Sequence, residues 1–89
     1  MPQVVVPPPY RGPTQGQARI DVSGATVREC ILAVEGRYPG FAELVLDGAG
    51  KVHRFVSLFV NGDEIERGDV DLAVTECDRI EILAAVAGG

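Results

Sequence analysis

An α+β domain, a mixed β-sheet packed on one main helix, is the fold class this sequence predicts, and three observations carry it. Only the stretch 27–38 combines helical spacing of apolar residues with its own start and stop signals. Segments of alternating or β-branched pattern lie on both sides of it, at 4–6, 18–22, 52–60 and 79–83. The chain has 89 residues, room for one hydrophobic core rather than two. Strands, one helix, then strands again is the order of a two-layer domain in which the helix covers one face of the sheet.

Val4-Val5-Val6 is a β-branched run that can open a strand, but Pro7-Pro8-Pro9 follows and proline has no N–H for a ladder, so the strand is expected to be short or at an edge. Tyr10 to Gln17, with Gly12, Pro13 and Gly16, reads as a loop. Ala18 to Val22 then alternates, with Ile20 and Val22 facing one way, so the two strands suggest an N-terminal hairpin. Thr26-Val27-Arg28-Glu29 is a capping box: the Thr26 hydroxyl and the Glu29 carboxylate can each satisfy a free amide of the first helical turn. Val27, Cys30, Ile31, Val34 and Tyr38 form one apolar stripe, and Pro39-Gly40 stops the helix. Phe41 to Leu46 allows one more helical turn, and Asp47-Gly48-Ala49-Gly50 is a loop by composition. Val52 to Val60 reads as a central strand beginning near His53 and ending in Asn61-Gly62, a hairpin signal because both residues tolerate positive φ. Burying Val56, Leu58 and Val60 puts Phe55, Ser57 and Phe59 on the opposite face and leaves Phe59 partly exposed. Asp63 to Gly68 is expected to return as a short strand and Val70 to Thr75 to cross as another segment. Glu76-Cys77-Asp78 reads as a turn, and Arg79 to Leu83 alternates as the last strand. The domain is expected to occupy residues 1–83, with 84–89 as a flexible arm.

Thirteen acids against eight bases leave a net charge of −5, which repels phosphate backbones and anionic headgroups, so neither nucleic acid nor a membrane surface is an expected partner. The charge is uneven: residues 61–89 hold eight acids and two bases. That acidic third reads either as a solvated face or as a docking patch for a basic partner. Two cysteines make no disulfide framework and no signal segment opens the chain, so a cytoplasmic location is expected. One histidine and two distant cysteines do not make a metal site. Cys30 lies on the apolar stripe as a buried thiol, and Cys77 stands in a polar turn with no histidine partner in view. Ser57 and His53 share one short strand without a nucleophile elbow, and Gly48 and Gly50 do not form a phosphate loop. A chain this small has little room for a substrate pocket beside its core, so it is expected to serve an enzyme rather than to be one, and to bind no cofactor itself.

The unexplained feature is the ending, Ala84-Ala85-Val86-Ala87-Gly88-Gly89, made of small residues after a well-patterned strand. Without a Cβ, Gly88 and Gly89 can take almost any backbone angle and pass through a narrow tunnel. Six residues span about 20 Å when extended, enough to enter another protein's active site. The bland reading, an inert frayed end, stands beside this one.

The strand ending in Phe59-Val60-Asn61-Gly62 and the terminal run Ile82-Leu83-Ala84-Ala85-Val86-Ala87-Gly88-Gly89 resemble the ThiS/MoaD family of ubiquitin-like sulfur carriers over about residues 18–89. The His53-Arg54-Phe55-Val56 segment and the Val86-Ala87-Gly88-Gly89 ending look most like its members linked to bacterial cysteine synthesis and secondary-metabolite sulfur insertion. Ala84 stands where such carriers often have proline, and Cys77 where they often have glycine. The resemblance implies a β-grasp fold and a Gly89 carboxylate that an E1-like activating enzyme adenylates with ATP and that is then converted to a thiocarboxylate. It implies a second partner, a sulfur-accepting biosynthetic enzyme, with cysteine or natural-product and thiosugar synthesis favoured over molybdopterin or thiamin. Gly88 then provides clearance, and Ala84, Ala85, Val86 and Ala87 form the arm that partners grip. Phe59 becomes a candidate for the apolar centre of the partner interface, with Asp63, Glu64, Glu66 and Asp78 as its acidic rim, or else a residue covered by a neighbouring loop. The rival readings are a protein modifier joined through Gly89 to lysines, and a plain interaction module.

Overall fold

Five strands of the computed structural model, which describes residues 1–84, form one sheet: β1 (Gln3–Val5), β2 (Arg19–Asp21), β3 (Val56–Val60), β4 (Asp63–Glu64) and β5 (Arg79–Ala84). Their order is β2-β1-β5-β3-β4. β5 runs parallel to β1 and antiparallel to β3, and the outer pairs β1–β2 and β3–β4 are antiparallel, so the sheet is mixed. The main helix α1 (Val27–Arg37) and the single turn α2 (Ala42–Val45) complete the element list, with a 3-10 turn at Pro8–Tyr10 inside the first loop.

The helix forms where its caps and its stripe agree. Thr26 Oγ1 accepts from the Glu29 N–H at 3.1 Å, and the Glu29 carboxylate reaches back to the Ala25 N–H at 3.1 Å. Val27, Cys30, Ile31 and Val34 are completely buried and share one core with Val4, Ile20, Leu58, Ile80 and Ile82 of the strands. Burying each of the larger side chains contributes roughly 1.5–3 kcal/mol. The far end is anchored twice. Arg37 Nη1 donates to the Asp21 carbonyl of the edge strand at 2.9 Å while its guanidinium lies 5.6 Å from the Tyr38 ring centroid. Glu35 accepts from the Gly40 and Ala42 amides, at 3.1 and 2.8 Å, and thereby holds the buried Phe41 between them.

β1 is short, as its prolines require, and it is interior with β2 at the edge: Val6 N–H still donates to Ala18 O at 2.8 Å, so proline begins only where pairing has ended. Three expectations need correction. β3 starts at Val56 rather than Val52, because the Val56 N–H closes a turn on His53 O and the His53 N–H goes to Val45 O of α2. His53 therefore precedes the strand, with Nε2 2.9 Å from the Glu43 carbonyl. The return strand after Asn61-Gly62 is only two residues long. Val70 to Thr75 is no strand beyond a bridge from Ala73 to Thr26. Its carbonyls are used by the helix instead: Val70 O and Leu72 O accept the otherwise free Arg28 and Val27 amides at 2.7 and 3.1 Å.

The β3–β4 turn has Asn61 at φ +52° and Gly62 at φ +88°, the positive pair that matches the twist of a two-residue hairpin. Asn61 also locks this turn to the start of β5, donating from Nδ2 to Asp78 Oδ1 at 2.8 Å and accepting from the Arg79 N–H at 2.9 Å. The other Asp78 oxygen accepts from the Thr75 N–H at 2.8 Å.

Two measurements check this account. A Cβ on Gly24 would stand 2.8 Å from Cys30 Sγ and 2.9 Å from the Cys30 backbone nitrogen, and the helix backbone cannot retreat. Gly24→Ala is therefore expected to cost about 1–3 kcal/mol in urea unfolding, and an unchanged midpoint would contradict the close packing. The Asn61 amide, and after it the Thr75 N–H, holds the Asp78 carboxyl below its ordinary range. A carboxyl depressed in the folded state contributes stability that is present above its unfolded pKa, about 4, and lost as pH falls through the lower folded value. Asp78→Asn should accordingly flatten the decline of stability below about pH 4, read from acid titrations of the melting temperature.

Candidate functional site

The last described strand sets the geometry. In β5, Ile80 and Ile82 point into the core, so Arg79, Glu81 and Leu83 stand on the opposite face, the one α1 does not cover. Register assembles the rest of that face. Leu83 pairs with Ser57 of β3; Glu81 lies between Phe59 on one side and Val5 on the other; Phe59 in turn pairs with Glu64 of β4. Arg79 and Glu81 form an ion pair at 3.4 Å along the strand. Ala84, the residue expected to begin the arm, is the final residue of β5 and pairs with Val56, so the chain leaves the sheet beside the start of β3.

Two large apolar side chains are exposed at that exit: Phe55 at 66% and Leu83 at 52%. Phe59 is half-buried on the open face between the carboxylates of Glu64 and Glu81. Asp63, Glu64 and Glu66 are exposed along the β4 side. Asp78, just before Arg79 at the start of β5, has its carboxylate engaged by the Asn61 amide and the Thr75 N–H. Ala85, Val86, Ala87, Gly88 and Gly89 lie outside the described residues. The sequence pattern sets Phe55 on the face of Phe59 but singles out neither Phe55 nor Leu83 as a contact residue. The signal was present for Leu83, which falls in phase with Arg79 and Glu81 and so puts an apolar side chain on a charged face.

Titratable groups elsewhere are structural in setting. Burial, and then the nearby Glu29 charge, pushes the Cys30 thiol above its ordinary range, which disfavours the thiolate a nucleophile needs. Cys77 is exposed and free. Among the described residues no three His, Cys, Asp or Glu side chains stand close enough together to hold a metal ion, and no helix is long and apolar enough to cross a membrane. A groove of about 550 Å³ runs between Lys51 and the segment Glu64 to Gly68, lined mainly by charged side chains. What the described residues present is therefore a surface: an open sheet face with an apolar end where the chain departs and acids along its flank.

Comparison with known proteins agrees with this arrangement. A family model, the ThiS family, matches residues 9–89. The sulfur carrier protein CysO of Mycobacterium tuberculosis (strain ATCC 25618 / H37Rv) is 37% identical over 89 residues, covering 97% of this chain and 96% of its own. A chain from the crystal structure of the Amycolatopsis orientalis BexX/CysO complex superposes with a TM-score of 0.89 at 36% identity, with all of both chains covered. The solution structure of small archaeal modifier protein 1 from Methanosarcina acetivorans gives a TM-score of 0.82 at 20% identity, over 99% of this chain and 95% of the other, a likeness of fold alone. The sheet with its single main helix is the ubiquitin-like β-grasp arrangement of those structures, and with the family model spanning nearly the whole chain, the chain belongs to the ThiS family.

Proposed function

We propose that the chain is a sulfur carrier whose Gly89 carboxyl is adenylated by an E1-like activating enzyme, converted to a thiocarboxylate and used as sulfide donor to a biosynthetic enzyme. The observation that carries the reading is the full-length likeness to proteins named as CysO sulfur carriers, joined to a central strand that ends in a run of small residues closing on Gly88-Gly89. The chemistry explains why a partner is needed. A carboxylate has no usable leaving group until its oxygen attacks the α-phosphorus of ATP and pyrophosphate departs. A sulfur nucleophile then displaces AMP from the carbonyl carbon and leaves a thiocarboxylate. ATP belongs to the activating enzyme, and this chain is its protein substrate.

On this reading the narrow end Ala85-Val86-Ala87-Gly88-Gly89 lets the reacting carbon approach both active sites, and Ala84 launches it from the centre of the sheet. The partners dock on the open face, with Leu83 and Phe55 nearest the reacting end, Phe59 farther in, and Asp63, Glu64 and Glu66 favouring a basic rim on the partner. The CysO likeness and the BexX/CysO complex support cysteine or natural-product synthesis over molybdopterin or thiamin as the destination. Free cysteines suit a reducing cytoplasm.

Deleting Gly88 and Gly89 should leave the thermal unfolding curve unchanged and abolish sulfide delivery to an acceptor enzyme; retained delivery would contradict the proposal. Leu83→Glu should weaken calorimetrically measured binding to the activating enzyme by about 1–2 kcal/mol, whereas Leu72→Glu, also exposed but beside the helix N-terminus, should not. The reverse ranking would place the interface on the helix side.

A further inference from the structure

The eight basic side chains of this chain are seven arginines and one lysine, Lys51. The difference is chemical: a guanidinium stays protonated and does not take up acyl groups, whereas a lysine amine does. A protein whose own carboxyl is turned into an acyl donor therefore carries a single side-chain amine able to intercept it. That amine is exposed. Its backbone is held, since Asp47 Oδ1 accepts from the Lys51 N–H at 3.0 Å and the Val52 N–H donates to Arg67 O at 3.0 Å.

The topology brings this amine to the right end of the sheet. Lys51 stands five residues before Val56, and Val56 is the partner of Ala84, where the described chain leaves β5. The intervening segment is shortened by the turn in which Val56 N–H bonds His53 O at 3.0 Å. Paired Cα atoms of antiparallel strands lie about 4.5–5.5 Å apart. The five residues from Ala85 to Gly89 can span about 17 Å when extended, a reach comparable to the longest path back to Lys51, and the four-carbon lysine stem adds to it. The exposed Cys77 thiol, by contrast, lies at the other end of β5, before Arg79. A thioester formed there exchanges back, whereas an amide does not.

We propose that Lys51 is the acceptor of this protein's own activated Gly89 acyl group, within one chain or between two copies, whenever activation outruns sulfur supply. The inference rests on the carrier reading above. The Lys51 nitrogen attacks the Gly89 carbonyl carbon and a C–N bond forms. The bond from that carbon to the adenylate oxygen breaks, AMP departs with the electron pair, and the amine releases its proton to solvent. No electron donor or acceptor is needed. Because each copy offers one such amine, the products are closed rings or unbranched chains.

The test uses the 89-residue chain prepared with Gly89 as a mercaptoethanesulfonate thioester, an acyl donor that needs no enzyme, incubated in mildly alkaline buffer and mapped by peptide mass spectrometry. The expected result is an isopeptide joining Gly89 to Lys51 in the wild-type chain and its loss in Lys51→Arg, with circular dichroism confirming that the variant is folded. Acylation mainly at the Met1 amine, or hydrolysis at the same rate in both chains with no isopeptide, would overturn the proposal. A parallel incubation with ATP, sulfide and an activating enzyme separates the two readings. Failure to form a thiocarboxylate there counts against the carrier, whereas a formed thiocarboxylate with no Lys51 linkage in the thioester experiment counts against Lys51 alone.

Discussion

The placement of β5 between a parallel and an antiparallel neighbour is the constraint on which the rest of the structure depends. Ile80 and Ile82 are almost wholly buried, with β1 on one side and β3 on the other, so a slip of one residue would drive Leu83, Glu81 and Arg79 into the core and expel both isoleucines. That penalty fixes the register. Register in turn decides that Leu83 faces solvent, that Glu81 lies between Phe59 and Val5, and that the chain leaves the sheet beside Val56. The position of the reacting end in the proposed chemistry is thus set by core packing at the strand before it.

The loops serve the same end. Val70 and Leu72 give up strand pairing to satisfy the first amides of α1, and Asn61 with Asp78 locks the β3–β4 turn to the first residue of β5. β5 is held at its beginning by that polar network and along its length by two ladders. A carrier needs this division: a body that docks in one orientation, and a narrow end without bulky side chains that enters its partners. Carrying sulfur on a protein keeps it from being released as free sulfide, while orientation and proton transfer are left to the enzymes that receive it.

Much of this was legible in the residues, for local reasons. The capping box at Thr26 to Glu29, the apolar stripe of α1, the Asn61-Gly62 turn and the alternation of β5 each satisfy a short-range rule, and each reappears in the structure. What escaped depended on distant partners. The β-branched run from Val52 looked like strand, but its first amides are taken by Arg67 and Val45. Val70 to Thr75 reads only as a crossing segment, and the part its carbonyls play in satisfying the first amides of α1 is not visible in its own residues. The prolines after Val6 left a short strand or an edge strand open, and pairing with β2 on one side and β5 on the other makes β1 the short interior one. On the candidate site, alternation alone put Phe59 on the open face. The same alternation put Phe55 there and sets Leu83 in phase with Arg79 and Glu81, whereas the bond that engages the Asp78 carboxylate comes from Asn61, 17 residues away in the chain.

The central claim is that Gly89 carries sulfur, and the intact mass of the protein tests it most directly, after incubation with ATP, a sulfide source and a competent activating enzyme. The account predicts a gain equal to exchange of one oxygen for one sulfur, confined to the C-terminal peptide, absent without ATP and absent when Gly89 is removed. An unchanged mass with an enzyme shown to be active on another carrier would contradict it, as would sulfur located anywhere but the terminal carboxyl.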